Sequence, residues 1–524
     1  MARPLLLLTF SLFPFTFSLI LAQTPVFSEE TTTGITHVYD GGWEFFVGGG
    51  VATFDCSGDQ KPDVFLAGGL NPSALYQNVS DIAGALKFQK VSGLGLDLVT
   101  GAYPIDIDND NIIDLAVLRV GENQLYKGLG NCQFEKANTL WNFSGGDAWT
   151  TSFSALWEEG QILPTLAFGN YVDRLNPKGP FGVCEDNVLQ RPDGPSYAPA
   201  IKLSPGYCAL SMLFTDWNRT GKKDLYITND RQYYLTNQDR SGGEQLWTFD
   251  NGTPRLYTEN DGWQKLQIWG MGIAVADVTG DSLPEFYLTS MADQKLRTLA
   301  DTSGNPSYKD LAFERGVTAH RPFTGGDIMP STGWHAEFDD VNNDGNLDLF
   351  VSKGNVEAML EFAQNDPNNL LLGQDDGTFT EVADKANLLS FLRGRGATLT
   401  DFNLDGKLDI LVMNRRDNAQ VWRNISEDLG NWLQLRLSQD EVNRYGIGAW
   451  LKVEAGDKII EREITIGGGH ASGELGWIHI GLGSADKTTV TVTWPDGSSS
   501  TYTVNANQFA ILEKSNPQPA YWQP

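Results

Sequence analysis

The stretch Asp340-Val341-Asn342-Asn343-Asp344-Gly345-Asn346-Leu347-Asp348, followed by Leu349-Phe350-Val351, decides the fold. Oxygen-bearing side chains stand at positions one, three, five and nine. A glycine at position six permits a sharp turn, and an apolar, strand-like run follows at once. The pattern recurs in one register along the chain. Its copies are Asp55, Ser57, Asp59, Asp63; Asp106, Asp108, Asp110, Asp114; Asp216, Asn218, Thr220, Asp224; Asp277, Thr279, Asp281, Glu285; Asp340, Asn342, Asp344, Asp348; and Asp401, Asn403, Asp405, Asp409.

The copies begin at 55, 106, 216, 277, 340 and 401, so one spacing is about twice the others. Trp157–Thr165 falls in phase inside that gap and lacks the acidic residues. Seven units of this length match four-stranded propeller blades, each loop joining two strands. The spacing therefore predicts an all-β fold, a seven-bladed β-propeller with calcium loops.

Calcium is the cation expected. It takes six to eight hard oxygens, and alternate side chains of a tight loop present them inward. About six Ca2+ sites follow from the six copies. An EF-hand opens similarly but ends on a bidentate glutamate at position twelve. Here position twelve is Leu66, Val117, Ile227, Leu288, Val351 or Val412, so EF-hands are excluded.

The whole chain agrees with this reading. Its 38 basic and 66 acidic residues give a formal charge of −28, which disfavours nucleic acid and anionic membrane surfaces as partners. A 41% hydrophobic and 11% aromatic composition marks a globular chain and not an acidic disordered one.

Residues 1–22 read as a signal peptide, with Arg3, an apolar run from Leu5 to Leu21 and Ala22 at the end. No later run is long and apolar enough to span a bilayer, so a secreted or periplasmic location is expected. Cys56, Cys132, Cys184 and Cys208 allow two disulfides in three pairings. Cys184 with Cys208 is favoured because both lie in one irregular segment, which leaves Cys56 with Cys132. Asn78, Asn142, Asn251 and Asn424 head N-x-S/T sequons.

The propeller is expected over 23–425. After a polar connection, strand-like runs at 432–437, 449–453, 459–466, 477–480, 489–494 and 502–504 predict a small β-sandwich over 431–514, and 515–524 reads as a tail.

At this point the chain resembles a known family. Gly48-Gly49-Gly50-Val51-Ala52-Thr53-Phe54-Asp55 and Gly394-Arg395-Gly396-Ala397-Thr398-Leu399-Thr400-Asp401 resemble FG-GAP or VCBS repeats of integrin-type propellers. That resemblance implies side-chain metal ligands at positions one, three, five and nine and a carbonyl ligand at seven. Asn431-Trp432-Leu433, Gly446-Ile447-Gly448-Ala449, Gly467-Gly468-Gly469, His479-Ile480-Gly481-Leu482-Gly483 and Trp494-Pro495-Asp496-Gly497 resemble the ASPIC and UnbV domain. Together they resemble the cartilage acidic protein homologues over nearly the whole mature chain. The blade-three copy departs from the pattern and carries no metal. The loop with Thr220 holds only two carboxylates.

The positions five residues before each loop's first Asp are Gly50, Gly101, Ser211, Gly272, His335 and Gly396. They should face the channel, and His335 stands out among small residues. With Trp269, Trp334, Arg393 and Arg395 it could form a ligand pocket at the channel mouth, His335 serving as acid or base. The other reading, which is favoured, is that these residues fill the channel. His470 is read as structural. No nucleophile or carboxylate dyad is assignable, so the expected function is binding of a protein or glycan partner, with structural calcium. The alternative is an enzyme at the channel mouth acting on an exported small molecule, glycan or lipid-derived substrate.

Overall fold

The computed structural model describes residues 23–177, 182–230, 242–250, 252–301, 304–319, 328–440 and 442–524. The expected signal peptide lies outside them, as does the sequon at Asn251.

Seven four-stranded antiparallel units follow one another along the propeller. Their first strands are Val51–Phe54, Val99–Ile105, Thr150–Leu156, Ala209–Thr215, Gly270–Ala276, Gly333–Asp339 and Gly394–Thr400. Each first strand contacts the next, and the last contacts the first, which closes the ring around an axis. Blades 1 to 7 are numbered in that order. The first strands are buried along nearly their whole length, so both faces of each blade pack on neighbours. Closure is completed by Phe27–Glu29, which pairs antiparallel with Gln420–Asn424 and supplies blade 7 with its fourth strand. A strand so short carries no sequence signal of its own.

Every metal-type loop joins the first and second strands of its blade, and its ninth residue opens the second strand. Cys56 pairs with Cys132 and Cys184 with Cys208, the favoured pairing of the sequence. The first bridge ties the blade 1 loop to blade 2.

The C-terminal domain is two four-stranded sheets. One runs in the order Ile478–Gly483, Asn431–Ser438, Gln508–Glu513, Ala520–Trp522. The other runs Lys458–Glu463, Trp450–Ala455, Lys487–Thr493, Ser499–Asn505. Alternate residues point inward: Leu433, Leu435 and Leu437 from one sheet meet Leu451, Val453, Val490 and Val492 from the other. The expected tail at 515–524 is corrected by this arrangement. Ala520–Trp522 pairs with Phe509–Ile511, and the Trp522 ring packs on Trp477 and Phe509. Among the described residues no helix is long and apolar enough to cross a membrane.

Between its two sheets the domain sends Ile466–Leu475 down the propeller axis. The Gly468 N–H donates to Met212 O at 2.8 Å and the Gly469 N–H to Ile273 O at 2.7 Å. Ala155 bridges to Ile466 and Ala102 to Ser472, and Gly473–Leu475 pairs parallel with Ala52–Phe54 of blade 1. The segment bends through Gly467, Gly468 and Gly469 at φ of 132°, 72° and 54°, where a side chain would be strained. It touches all seven blades; His335 of blade 6 and Gly396 of blade 7 complete the set.

Candidate functional site

The six loops share one hydrogen-bond frame. The first-position carboxylate accepts the sixth-position N–H: Gly345 to Asp340 at 2.7 Å, Gly406 to Asp401 at 2.7 Å, Gly221 to Asp216 at 2.8 Å, and likewise in the other three. In five loops the ninth-position carboxylate accepts the second-position N–H, as Val341 gives to Asp348 at 2.9 Å. Its other oxygen reaches the third strand, as when the Asn424 N–H donates to Asp409 at 2.9 Å. The nine residues are thus wound around their own carboxylates.

Burial drives those carboxyls upward, and neighbouring carboxylates add to it. Asp106 is pushed up to about 6, Asp63 and Glu285 to about 7, and Asp401 to about 8. Asp114, Asp340, Asp348 and Asp409 lie well above the usual range for the same reason. Those raised to 7 or above hold their full charge at neutral pH only beside a cation. Oxygens of Asp106, Asp108 and Asp114 lie within 4.8 Å of one another. The third-position oxygens Asp108 Oδ1 and Asn403 Oδ1 are buried without a hydrogen-bond partner among the described residues. Orphaned hard oxygens beside crowded carboxyls fit a calcium ion.

Three blades differ. In blade 2, Lys127 Nζ bonds to both Asp108 and Asp110, placing a cation of the chain's own at the loop. In blade 4, Asp224 Oδ2 is taken by Trp217 Nε1 at 2.8 Å and the Tyr257 hydroxyl at 3.0 Å, so the backbone frame is incomplete. In blade 3, Glu158 accepts from Thr165 Oγ1 at 2.6 Å and from Arg191 Nε at 2.7 Å. A salt bridge there does the neutralising.

The pocket expected at the channel mouth is not open. Trp334, His335 and Arg395 do come together on the axis, but all are buried. The His470 N–H donates to His335 Nδ1 at 3.2 Å, and the Gly48 N–H donates to His470 Nε2 at 3.0 Å. Arg395 lies 4.0 Å over the Trp334 ring, and the Trp334 and His470 rings are 5.0 Å apart. On the far side Arg395 donates to Phe46 O at 3.0 Å and Val356 O at 2.8 Å, which closes that end. Arg393 stands outside this cluster beside Glu357, and Trp269 packs against Phe362. Burial lowers both His335 and His470 to about 3, so both are neutral at ordinary pH, and His335 meets only the inner end of a cavity of about 180 Å3 on the side of the C-terminal domain.

The small residues at the channel positions have a steric cause. A Cβ on Gly50 would stand 1.7 Å from Ala471 O, one on Gly101 2.2 Å from the same oxygen, and one on Gly396 2.4 Å from Ser472 Oγ. They make room for the inserted segment. The run Gly467-Gly468-Gly469 was the one sequence signal for that segment. No local pattern connects it to a channel several hundred residues upstream.

Two family profiles match the chain: ASPIC and UnbV over residues 439–519, and FG-GAP-like repeat over residues 340–412. Among curated proteins, cartilage acidic protein 1 of Xenopus tropicalis is 25% identical over 225 residues, 39% of this chain and 31% of the relative. Cartilage acidic protein 1 of Homo sapiens is 26% identical over 233 residues, 44% of this chain and 33% of the relative. The chain thus spans about a third of the length of the curated relatives it matches. Among solved structures, BBS1N in complex with ARL6DN is similar at 11% identity and a TM-score of 0.44, covering 78% of this chain and 99% of that one. The chain is a β-propeller with a C-terminal β-sandwich that matches the FG-GAP-like repeat over residues 340–412 and the ASPIC and UnbV domain over residues 439–519, and it is similar over part of its length to cartilage acidic protein 1.

Proposed function

We propose that the protein is an exported calcium-binding propeller that works by binding a protein or glycan partner, its loops being fixed by structural calcium. The observation that carries this reading is the set of buried, crowded carboxyls in loops of one common frame. Calcium would be held by the first, third, fifth and ninth side chains of the loops. The ion supplies the positive charge that lets those carboxyls ionise while buried. The two disulfides and the signal-like N-terminus support an oxidising, extracytoplasmic location. The inserted segment occupies most of the channel, which favours the loop faces as the surfaces for recognition.

The test is equilibrium dialysis of chelator-treated protein against buffered calcium, with melting followed in parallel. Five or six ions per chain and a large rise in melting temperature are expected. Fewer than two ions, or a melting curve indifferent to calcium, would overturn the calcium part. A glycan array and a panel of matrix proteins, each probed with calcium-loaded and chelated protein, test the partner.

A further inference from the structure

Where the sandwich meets the loop face of blades 1 and 2 there is a cavity of about 380 Å3, a size in the range of small-ligand sites. Its floor is Phe54, Ile112 and Leu475, and one wall is the blade 1 calcium-type loop from Asp55 to Gln60. Arg436, Tyr445, Glu474 and Trp477 of the C-terminal domain make the other wall. The same four residues also line a second cavity of about 180 Å3 that runs inward toward Glu337 and His335. The two hollows therefore share a wall, with Glu474 at their junction.

The polar groups there are unevenly used. Glu474 Oε1 accepts from Thr398 Oγ1, and among the described residues Oε2 has no hydrogen-bond partner. Among the described residues the Tyr445 hydroxyl makes no hydrogen bond, although burial pushes it up to about 12. Arg436 gives Nη1 to Gln60 Oε1 and lies 5.4 Å over the Trp477 ring, with further N–H groups to spare. Glu337, deeper in, keeps 14% of its side-chain surface where the inner cavity meets it.

We propose that this cleft between the domains binds a neutral saccharide unit, with Tyr445, Arg436 and Glu474 as its recognition residues. The proposal rests on the glycan arm of the function proposed above and names its site. Three features select this chemistry. Burial raises Glu474 well above the usual carboxylate range, so it meets a ligand as an uncharged group that can give as well as take a hydrogen bond, while Arg436 is bonded to Gln60 of the acidic Asp55–Gln60 wall; a neutral ligand is therefore favoured over an ion of either sign. A donor fork beside an acceptor matches adjacent ring hydroxyls, each of which both gives and takes a hydrogen bond. The Tyr445 ring with Phe54, Ile112 and Leu475 offers apolar surface to the C–H face of a sugar ring. Since one wall is the Asp55–Gln60 loop, calcium that orders the loop orders the cleft.

The experiment titrates the full-length, calcium-loaded protein with a panel of neutral methyl glycosides, read by saturation-transfer NMR and calorimetry. Tyr445→Phe and Glu474→Gln are titrated beside it, with melting curves for every sample. Binding of at least one glycoside, weakened tenfold or more by each variant at unchanged melting temperature, is the expected result. Binding that both variants leave unaltered would overturn the cleft and keep the glycan-binding reading. No binding by any glycoside, while calcium still raises the melting temperature, would overturn the cleft and leave the calcium reading standing.

Discussion

The backbone N–H of His470 donates to Nδ1 of His335 at 3.2 Å, linking the C-terminal domain to the propeller axis across 135 residues of sequence. That bond fixes the tautomers. His335 accepts at Nδ1, so its proton sits on Nε2, 3.4 Å from Glu337 Oε2. His470 accepts from Gly48 at Nε2, so its proton sits on Nδ1, which has no partner among the described residues. His335→Ala removes a buried acceptor and opens a hole beside Trp334 and Gly469. A loss of about 3 kcal/mol is expected from both effects together. Denaturant unfolding of the calcium-loaded protein measures it. A channel enzyme would instead keep its stability on this substitution.

Acid should loosen the same contact. His335 and His470 are held near 3 and His479, between Gln434 and Asn343, near 4, all by burial. The unfolded chain binds these protons near pH 6.5 and the folded chain does not. Their contribution is therefore complete above pH 6.5 and is lost as pH falls, at about 1.4 kcal/mol per pH unit for each histidine. The metal-free loop carboxyls have the opposite sign. With folded values of about 7 for Asp63 and Glu285 and about 8 for Asp401, they favour the fold at low pH and oppose it as pH rises through 7 to 8. Calcium removes that opposition. The calcium-induced rise in melting temperature should be largest at pH 8 and shrink toward pH 5.5. A rise independent of pH would contradict this assignment of the carboxyls.

Gly50 and Gly101 both face Ala471 O, a backbone atom that cannot turn aside. Gly50→Val should expel the Ile466–Leu475 segment or prevent folding, a cost of about 3 kcal/mol or more. Limited proteolysis reads the outcome through new cleavage between 466 and 475, absent from wild type and from Gly476→Ala.

Lys127 stands where an ion would neutralise Asp108 and Asp110. Lys127→Met should raise the calcium affinity of the blade 2 loop by about tenfold, corresponding to about 1.4 kcal/mol of relieved charge competition. It should also lower the stability of the metal-free protein. Calorimetry on the variant separates the two, because one site in the set tightens while the others stay.

The loops were legible because calcium-type ligands lie within nine residues of one another, and repetition in one register separates them from chance turns. The sandwich was legible from alternation, as in Trp432–Leu437, whose leucines all point inward. What stayed hidden depends on long-range contact. The channel filling joins Gly48 to His470 across 422 residues. The fourth strands of blade 7 and of one sandwich sheet are three residues each, too short for a period to show. The cleft residues Tyr445 and Glu474 belong to no motif and acquire meaning only where two domains meet.

The sequons show how a local motif can mislead. Asn78 is fully buried, and its Nδ2 donates to Pro62 O at 3.0 Å and to Phe402 O of blade 7 at 2.7 Å. Asn424 is buried too and donates to Val341 O of blade 6 at 3.0 Å. Each Oδ1 accepts the backbone N–H two residues on, from Ser80 and Ser426, so the asparagine is required by the turn that joins adjacent blades. A glycan on either Nδ2 is incompatible with these bonds. Asn142 is exposed, its side chain giving one bond to Tyr197 O. Expressed through a glycosylating secretory pathway, folded protein should carry a glycan at Asn142 and none at Asn78 or Asn424, as peptide mass mapping would show. Asn424→Gln should cost about 2 kcal/mol, because the longer amide cannot serve both the turn and the neighbouring loop. Asn142→Gln should leave unfolding unchanged. Glycan at Asn424 in folded protein would mean that the blade 6 to blade 7 contact is dispensable.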